Sequence, residues 1–511
     1  MARERELKLE IEPAAAPRIA EWLRAKGGTR KSGRKLHTVY FDTNDLSLHH
    51  NGVSLRIRHS GDTFTQTIKR QDPGGVGLFD RPEWEKPVHG FIPDLAAARK
   101  TGLKPLKQPH LSRLLNAVFE VEVRRVAFEL PGANQIALTI DRGRVIAGKR
   151  RARLCEIEIE SLDGSLDDVF KTAKAIAAIS PLRLSIQSKS ARGYALLQEN
   201  ETGIFRAGHV ALASAMPSEA AFRTIARDCL RQLIANLSAS VKENAEALHQ
   251  MRVGLRRLRA SISAFSEMLQ NDETEHITSD LRWVGQCLGA ARDLDVLLDA
   301  LQHQKSGVSF PPSIIRRFER HRHQAYVHLR QAVSSIRFRD LLLEILTWIE
   351  CGDWRNSTVH SAARIREQPV IVHAARELRR GHKKLVKQLA GLAQFDPAER
   401  HRLRIRTKRL RYAVEFFGGL FPGRKNVHRR DRLLSALKDM QGALGDLNDL
   451  ANRERLVSEI VRPSTRRSSG DEVNPDTAVA LYRPDDGESA HLTGLATHAA
   501  RRIERAKPFW Q

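Results

Sequence analysis

The hydrophobic period of this chain changes once, near residue 200, and this change constrains the fold more than any other feature. Before it, short segments such as RELKLEI (5–11), FTQTIKR (64–70) and LCEIEIE (154–160) alternate polar and apolar residues. Alternation at period two is typical of strands with one apolar face. After it, apolar residues recur every three or four positions, as in AFRTIARDCLRQLIANL (221–237), which is the period of an amphipathic helix. The chain is therefore predicted to join a strand-rich half to a helical half.

The two periods predict the domain organisation. Residues 1–200 are predicted to form a strand domain, interrupted by helices near 13–26 and 167–179. Residues 201–217 are predicted to link it to a helical domain at 218–511. A length of 511 residues also favours two or three domains over one.

The helical half contains an internal repeat. The segment HQMRVGLRRLR (249–259) returns as HRLRIRTKRLR (401–411). Such repetition predicts two similar helical bundles, at about 218–350 and 370–511. A stretch rich in Ser, Arg, Asp and Pro at 463–488 is predicted to be a flexible insert.

Net charge restricts the kinds of partner. The chain has 85 Lys and Arg against 60 Asp and Glu, a formal charge of +25. Residues 1–200 contain 34 basic and 24 acidic residues and the remainder contains 51 and 36, so both halves are cationic. A folded chain with this charge is expected to bind nucleic acid, an anionic membrane surface or phosphate chains. Nucleic acid is disfavoured because aromatic residues, at 6%, are few for stacking on bases.

Cysteine spacing and hydropathy predict a cytoplasmic protein. The four cysteines lie far apart without a CxxC pair, which argues against a zinc site or a disulfide framework and suits a reducing compartment. The N-terminus begins with a charged alternating segment, whereas a secretory signal would be apolar. No run of eighteen apolar residues occurs, so no membrane span is expected.

Charged residues two apart recur along the predicted strands. Glu4, Glu6 and Lys8 share one face of the first strand, and Arg56 and Arg58 share a face of another. An open sheet would leave such a face in water, which is the simplest interpretation of any one strand. When several strands show the same pattern, closing the sheet into a barrel turns the charges inward and lets the apolar faces pack against helices. Carboxylates could then hold a divalent cation while Arg and Lys neutralise phosphate oxygens.

The strand half resembles the CYTH, or triphosphate tunnel metalloenzyme, family. The resemblance rests on ERELK (4–8), which is similar to the family's ExExK signature, and on a set of motifs in family order that covers nearly all of 1–200. These motifs are SLRIR (54–58), the TIK that ends at Lys69, RPEWE (81–85), LTIDRG (138–143), CEIEIE (155–160) and QSKSARGY (187–194).

This resemblance implies an α+β fold with an antiparallel eight-stranded tunnel barrel that hydrolyses or rearranges triphosphates with Mg²⁺ or Mn²⁺. It also implies residue roles. Lys8, Arg56, Arg58, Lys69, Arg124 and Lys189 would bind the triphosphate, with Arg125 in place of Arg124 if the register of that strand shifts by one. Glu4, Glu6, Glu156, Glu158 and Asp141 would be metal ligands, and Arg81, Glu83 and Glu160 would be further tunnel residues.

Each repeat of the helical half carries a stripe of basic residues. The offsets 0, +3, +7 and +10 place these residues within one narrow arc of a helix. A solvated, ion-paired face would explain one such helix, but two copies at identical offsets, with few acids at i±4, favour an anion-binding surface. The residues are His249, Arg252, Arg256, Arg259, His401, Arg404, Lys408 and Arg411, together with Arg379 and Lys383 on another basic helix.

This half resembles the CHAD domain, an all-α pair of helical bundles associated with binding of inorganic polyphosphate. The match rests on HQMRVGLRRLR (249–259) and its second copy, on LGAARDLDV (288–296) and on the terminal KPFW. The second copy departs from the pattern at Lys408 and Asn448, so an equal contribution by the two bundles is not expected.

Together the two resemblances imply a metal-dependent inorganic triphosphatase whose helical domain binds polyphosphate. Two alternatives remain at this level. The tunnel could act on a nucleoside or thiamine triphosphate, or the protein could be a non-catalytic polyphosphate-binding or targeting protein. Acids at 4, 6, 156 and 158 argue against the second alternative, because a purely anion-binding tunnel does not need carboxylates.

Overall fold

The computed structural model describes the backbone of residues 2–71, 75–131, 136–161, 165–198, 203–302, 312–461 and 486–511, and their side chains except at 2–4, 32, 451–454, 461 and 486. The chain divides into two compact units. The first comprises Met1–Phe205 and Ser334–Gly352, and the second comprises Arg206–Val333 and Asp353–Gln511.

The first unit is built on one antiparallel sheet that closes into an eight-stranded barrel, as predicted. The sheet order is β5-β4-β3-β2-β6-β7-β8-β1, β5 also pairs with β1 to close the ring, and β9 adds to β1 outside the closure. The strands are β1 (Ala2–Ile11), β2 (Thr29–Thr43), β3 (Val53–Ser60), β4 (Thr63–Arg70), β5 (Leu78–Val88), β6 (Leu115–Leu130), β7 (Ile136–Ala147), β8 (Arg150–Ser161) and β9 (Leu182–Leu184).

Helices cover parts of this barrel. They are α1 (Ala15–Ala25), α2 (Ser47–His50), α3 (Leu95–Lys100), α4 (Leu111–Leu114), α5 (Leu166–Ala177), α6 (Lys189–Leu197) and the later helix α14 (Ile336–Cys351), with a 3₁₀ turn at Lys104–Lys107. The predicted helices near 13–26 and 167–179 correspond to α1 and α5. By contrast, α14 packs on α5 and β9 in the first unit, although the sequence had assigned its residues to the first helical bundle.

The turn between β3 and β4 shows how local sequence fixes the register. Gly61 takes a left-handed conformation, with φ of +60°, which glycine adopts without steric cost. The two strands then pair from Val53–Arg70 to Ser60–Thr63 without a bulge. Their apolar residues, such as Leu55 and Ile68, face outward and pack with Leu106 and Leu111, as the barrel hypothesis requires.

The polarity of the barrel inverts along its length, and this was not predicted. On β6, Arg125 faces the interior with charged neighbours, whereas Val121 and Val123 on the same strand face pack into an apolar cluster with Tyr40, Phe119 and Tyr194. At the apolar-filled end, the outward residues of β6 are Glu122 and Arg124. Only one end of the barrel therefore has the charged interior and apolar exterior that the alternation predicted.

Helix α6 closes the apolar end of the barrel. Gly193 lies so close to Phe119 that an added Cβ would come within 2.1 Å of the ring, so only glycine fits. The Tyr194 hydroxyl donates a hydrogen bond of 2.8 Å to Asp42 Oδ2. Asp42 is fully buried and also accepts from the backbone N–H groups of Thr43, Leu48 and His49. This network fixes the helix whose first residue, Lys189, points into the charged interior.

The second unit is helical in its described residues apart from connecting segments. Its helices are α7 (Ser218–Ala235), α8 (Leu237–Ser240), α9 (Ala245–Ala264), α10 (Ser266–Leu269), α11 (Asp272–Cys287), α12 (Gly289–Gln302), α13 (Pro312–Ser334), α15 (His360–Glu367), α16 (Val370–Leu389), α17 (Pro397–Phe417), α18 (Arg424–Val461) and α19 (Asp486–Glu504). Short 3₁₀ turns lie at Asp353–Arg355, Leu392–Gln394 and Gly418–Leu420.

The internal repeat corresponds to α9 and α17. Each helix begins at a side-chain cap: Asn244 accepts from the backbone N–H of Ala247, and Asp396 forms a reciprocal capping box with Glu399. The helices that follow differ, because the first copy is interrupted at Leu288 between α11 and α12, whereas α18 runs through 38 residues.

The predicted insert and the predicted absence of a membrane span can be compared with the described residues. Most of the predicted insert at 463–488 lies outside the described residues, but α19 already begins at Asp486. In the part of the chain that the structure describes, no helix combines the length and the apolar character needed to cross a bilayer.

Candidate active site

A cavity of ≈ 200 Å³ lies inside the charged end of the barrel. Seven bases and four acids line it, and Tyr40 is the single aromatic residue among the described residues of its wall. The charged residues are Glu6, Lys8, Arg56, Arg58, Lys69, Arg81, Glu83, Glu85, Arg125, Glu158 and Lys189. We call this space the interior cavity.

Three carboxylates converge beside this cavity. Asp141 on β7 lies opposite Glu156 on β8, and Glu158 follows on the same strand face. Oxygen atoms of all three lie within 4.8 Å of one another. The Lys189 ammonium holds them together, with Nζ 2.5 Å from Glu156 Oε1 and 2.8 Å from oxygens of the other two. Arg125 adds bonds of 2.6 Å to Asp141 Oδ2 and 2.7 Å to Glu158 Oε2.

These contacts keep Asp141 and Glu158 ionised despite their burial. Burial alone would raise the pKa of Glu158, but the three neighbouring cations hold this pKa well below its usual range. The pKa of Asp141 is lowered for the same reason, since Lys189 and Arg125 outweigh its burial. Conversely, the acids raise the pKa of Lys189 although burial opposes this shift. Asp141, Glu158 and Lys189 are therefore charged near neutral pH.

The signature strand β1 contributes a second group of charges. Lys8 Nζ lies 2.5 Å from Glu158 Oε1 and 3.1 Å from Glu6 Oε1. Glu6 in turn accepts a 2.9 Å bond from Arg81 Nη2 on β5. Both cations of this group lie over the ring of Phe79. Burial opposes the rise in the pKa of Lys8, but the carboxylates outweigh it.

The opposite wall is rich in cations. Arg56 Nη1 donates to the Tyr40 hydroxyl over 3.4 Å, and Lys69 pairs with Glu83 at 2.9 Å. Arg56, burial and Arg125 together lower the pKa of Arg58 to about 10. The cavity thus has carboxylates of β1 and β8 on one wall, with Asp141 and Glu156 beside it, and guanidinium groups of β3 on the other. This arrangement can hold a divalent cation on one side and phosphate oxygens on the other.

Most of the predicted tunnel residues come together here, and one differs by a single position. Arg125 faces the interior cavity, whereas Arg124 is exposed on the outer surface of the barrel. Glu160 shares the inward face of β8 but does not line the cavity among the described residues. The side chain of Glu4 lies outside the described residues; its backbone pairs with Arg81.

Some residues of the site were not assigned from sequence. Tyr40, Glu85 and Arg192 are the main ones: Tyr40 meets Arg56, Glu85 accepts a 2.9 Å bond from Thr67 Oγ1, and Arg192 lies 3.8 Å from Glu156. The alternation of residues 81–85 and the segment QSKSARGY already pointed to Glu85 and Arg192. Tyr40 had no such signal, because tyrosine fits a strand without any functional role.

The residues present fit a hard divalent cation. Glu156 Oε2 is buried and has no hydrogen-bond partner among the described residues, so it is an acceptor without a donor. Two further carboxylates lie beside it. An all-oxygen donor set of this kind suits Mg²⁺ or Mn²⁺ better than softer metals.

The helical unit contains a different charge cluster. Arg252 and Arg256 on α9 lie near Arg404 and Lys408 on α17, so the two stripes meet. We call these four residues the helical cation cluster. Burial and two neighbouring arginines lower the pKa of Lys408 to about 7. Arg252 Nη1, Arg256 Nε and Arg404 Nε are buried donors without a hydrogen-bond partner among the described residues.

Three acids, Asp293, Asp446 and Asp449, lie near Arg404 and oppose the lowering of its pKa by burial. Asp293 lies 3.8 Å from Arg252, and burial raises its pKa although that arginine opposes the shift. Asp295, two residues further along the chain, accepts hydrogen bonds from Arg322 and from the Tyr326 hydroxyl on α13. The Arg252–Asp293 pair is therefore looser than the contacts of Glu158 in the interior cavity, which measure 2.5 to 2.8 Å.

The other residues predicted to bind polyphosphate differ in position. His249 is half-buried beside the cluster, and burial together with Arg292 and Arg256 lowers its pKa to about 4. Arg411 is held by Gln441 and Glu415, at 2.7 and 2.5 Å. Arg259, Arg379, Lys383 and His401 are exposed and make no ion pair with the described residues.

Comparisons with known proteins follow the division into strand and helical halves. Residues 2–194 match the CYTH domain family, and residues 224–458 match the CHAD domain family. An inorganic triphosphatase of Haemophilus influenzae is 30% identical over 201 residues of the N-terminal region, which is 38% of this chain and 55% of that protein. The chain thus spans about half the length of this relative.

Two further relatives cover more of the chain. An uncharacterized protein of Mycobacterium tuberculosis is 25% identical over 463 residues, which is 84% of this chain and 83% of that protein. The crystal structure of the CHAD domain from the plant Ricinus communis covers 60% of this chain and 98% of its own at 27% identity, with a TM-score of 0.49. The chain therefore belongs to the proteins in which a CYTH domain precedes a CHAD domain.

Proposed function

We propose that the interior cavity hydrolyses inorganic triphosphate to pyrophosphate and phosphate in a metal-dependent reaction. The observation that carries this proposal is the convergence of Asp141, Glu156 and Glu158 beside a cavity lined by seven bases. Carboxylates and cations in one small space suit a substrate that arrives with a divalent metal, whereas a simple anion receptor needs only the cations.

The dimensions and lining of the cavity favour a small inorganic substrate. Ligand pockets for drug-sized molecules typically measure about 300–1,000 Å³, and the interior cavity measures ≈ 200 Å³. Among the described residues that line it, Tyr40 is the single aromatic one, and its hydroxyl already accepts a hydrogen bond from Arg56. A nucleobase or thiamine ring would lack a stacking surface among these residues.

Mg²⁺ or Mn²⁺ would be held by Asp141, Glu156 and Glu158, with Glu6 and Glu4 from the signature strand. When bound, such an ion supplies charge neutralisation of the phosphate oxygens and lowers the pKa of a bound water. Arg56 and Arg58 would orient the phosphate chain and neutralise the charge that develops on the leaving pyrophosphate. Lys8, Lys189 and Arg125 would hold Asp141, Glu156 and Glu158 in place through their ion pairs.

The helical domain is proposed to bind inorganic polyphosphate through the helical cation cluster. Three arginines there present buried donors that have no partner among the described residues, and phosphate oxygens would satisfy them. The weak neutralisation by Asp293, at 3.8 Å, leaves a net positive site. His249, neutral near pH 7 because of its lowered pKa, would contribute hydrogen bonds but no charge.

The similarity to the Haemophilus influenzae inorganic triphosphatase supports the tunnel activity, since it falls in the N-terminal region. The decisive experiment incubates the full chain with tripolyphosphate, ATP or thiamine triphosphate, with Mg²⁺, with Mn²⁺ or with a chelator. We expect metal-dependent phosphate release that is fastest with tripolyphosphate. Turnover of none of the three would favour a non-catalytic binding protein, and preference for an organic triphosphate would change the substrate class.

A further inference from the structure

A second, larger cavity of ≈ 1460 Å³ lies on the outer surface of the barrel, at the end whose interior is apolar. It exceeds the usual range of about 300–1,000 Å³ for small-molecule sites, so it suits an extended ligand better than a compact one. We call it the outer cavity. Its wall includes outward side chains of β2, β6, β7 and β8.

The cations of this wall lie opposite one another in the sheet. Lys35 on β2 pairs in register with Arg124 on β6, which pairs in turn with Arg142 on β7. One step along, Arg144 on β7 lies opposite Arg153 on β8. Like charges directly opposite each other destabilise a sheet, and neighbouring strands are only about 4.8 Å apart. The row is therefore not explained by the stability of the barrel.

Acids near this row are already engaged. Glu122 pairs with Arg144 at 2.6 Å, while Glu10 and Glu12 pair with Arg192 and Arg183. This leaves four cations that make no ion pair with any described residue. They are Lys35, Arg124, Arg142 and Arg153, all of them exposed.

A chain of ion pairs connects the wall of the outer cavity to the wall of the interior cavity. Arg192 lines the outer cavity and contacts Glu10, and it lies 3.8 Å from Glu156. Glu156 in turn binds Lys189, which lines the interior cavity. A ligand of the outer cavity would thus sit next to the carboxylates that the proposed reaction uses.

We propose that the outer cavity is a second anion site of the CYTH domain that binds a condensed phosphate chain longer than triphosphate. Four cations without an ion pair to the described residues, three of them in register across β2, β6 and β7, match a linear polyanion, and the guanidinium groups of the three arginines bind phosphate in a bidentate manner. The choice of a phosphate chain over another polyanion rests on the proposed function of the neighbouring tunnel. This site is separate from the helical cation cluster, which belongs to the other unit.

Cys155 provides a probe inside the site. It is half-buried, lines the outer cavity and lies opposite Arg142 in register. We expect long-chain polyphosphate to slow alkylation of Cys155 by neutral iodoacetamide about tenfold at ten times its Kd, by simple occupancy. Cys351, on α14 outside the cavity, is the internal control in the same peptide map. Equal alkylation rates of Cys155 with and without polyphosphate would overturn the proposal.

Substitution separates this site from the helical one. A triple variant that removes three cations of the outer cavity should abolish the protection of Cys155; it carries Lys35→Gln, Arg142→Gln and Arg153→Gln. The control variant loses the same charge at exposed residues outside the cavity and should retain the protection; it carries Arg99→Gln, Lys100→Gln and Arg113→Gln. Because these cations repel each other, the triple variant should unfold at no lower temperature than the parent chain. Retained protection in the triple variant would refute the site.

The proposed functions can fail independently of this inference. In an Arg252→Ala, Arg404→Ala chain, polyphosphate should still protect Cys155; loss of protection there would contradict a separate site. If that chain binds polyphosphate as tightly as the parent while Cys155 is protected, the helical proposal fails and the outer site stands. Tripolyphosphate at equal phosphate concentration should protect several-fold less, and equal protection by duplex DNA would overturn the assignment to phosphate chains.

Discussion

The interior cavity and the helical cation cluster are both rich in Arg and Lys, but they differ in their acids. In the interior cavity, Glu158 alone contacts three cations, at 2.5 to 2.8 Å. In the helical cation cluster, Arg252 lies 3.8 Å from Asp293, and three buried guanidinium nitrogens have no hydrogen-bond partner among the described residues. The number of basic residues therefore does not distinguish the two sites, whereas the carboxylates do.

This difference has a direct chemical consequence. Closely paired acids and bases keep each other charged, which the lowered pKa of Glu158 and the raised pKa of Lys189 reflect. Such a site can accept a metal ion and a phosphate together. At Lys408, burial and the neighbouring Arg404 and Arg256 lower the pKa, and an incoming anion would relieve the repulsion between these cations. We therefore expect catalysis at the first site and reversible binding at the second.

The largest expected effect is the loss of turnover on removing one carboxylate. Glu158→Gln should lower tripolyphosphate hydrolysis by about 100-fold or more, because it removes a metal ligand and the common partner of three cations. Phosphate release measures turnover, and polyphosphate binding by the same protein should be unaffected. Glu129→Gln, at an exposed ion pair on β6, is the matched control. Loss of both activities in a folded Glu158→Gln chain would mean that the two sites are not separable.

The neighbouring arginines of β6 give the next effect. Arg125→Gln should lower turnover about 10- to 100-fold, since it removes three charge-assisted bonds, two to Asp141 and one to Glu158. Arg124→Gln makes the same chemical change one residue away, on the outer surface, and should have a much smaller effect. Steady-state kinetics with tripolyphosphate measures both variants. A larger loss at Arg124 would contradict the register of β6.

Charge reversal in the helical cation cluster should weaken binding without changing catalysis. Arg252→Glu with Arg404→Glu is expected to weaken long-chain polyphosphate binding about 10- to 100-fold, from the loss of charge-assisted contacts. The same reversal at Arg379 and Lys383, which lie exposed on α16, should weaken it less. Calorimetry or fluorescence anisotropy would measure the affinities. An equal loss in both pairs would favour diffuse attraction over a defined site.

The smallest effect is a pH dependence of a few-fold. Lys408 has a pKa of about 7, so it is a cation at pH 6 and mostly neutral at pH 8. Polyphosphate affinity should therefore fall by about three- to tenfold across this interval, the loss of one charged contact. Titration of the phosphate ends would act in the opposite direction, and His249, with a pKa of about 4, stays neutral throughout.

The Lys408→Arg variant separates the titration of Lys408 from that of the phosphate ends, because arginine stays charged over this pH range. Arginine also stands at the equivalent position of the first repeat, Arg256. The affinity of the Arg variant relative to the parent chain should rise with pH. A ratio that stays constant between pH 6 and pH 8 would exclude Lys408 as the titrating contact.

Much of the fold could be predicted from sequence, because it depends on local patterns. The alternation of RELKLEI and LCEIEIE predicts strands β1 and β8, and the repeat at 249–259 and 401–411 predicts the paired helices α9 and α17. By contrast, the assignment of α14 to the barrel unit could not be predicted, since its apolar face would suit either unit.

In the candidate site, too, the sequence predicted some residue positions and left others undecided. Alternation places Glu156 and Glu158 on one face, and the structure brings both to Lys189. Alternation alone does not decide whether Arg124 or Arg125 faces the interior, because the barrel interior changes from apolar to charged between Val123 and Arg125. The rule that apolar residues face outward therefore holds on one side of this point and reverses on the other.

By itself, the sequence determined the two periods, the repeat, the position of each charge along its strand or helix, and hence the kind of chemistry available. These are consequences of short-range geometry, which repeats every two or 3.6 residues. Only the tertiary structure decided which charges meet. The pairing of Asp141 with Glu156, the approach of α17 to α9 and the row Lys35, Arg124 and Arg142 all join residues distant in the chain. Their spacing depends on strand register and helix packing, so the acids near each cation, and with them its role, follow from the fold.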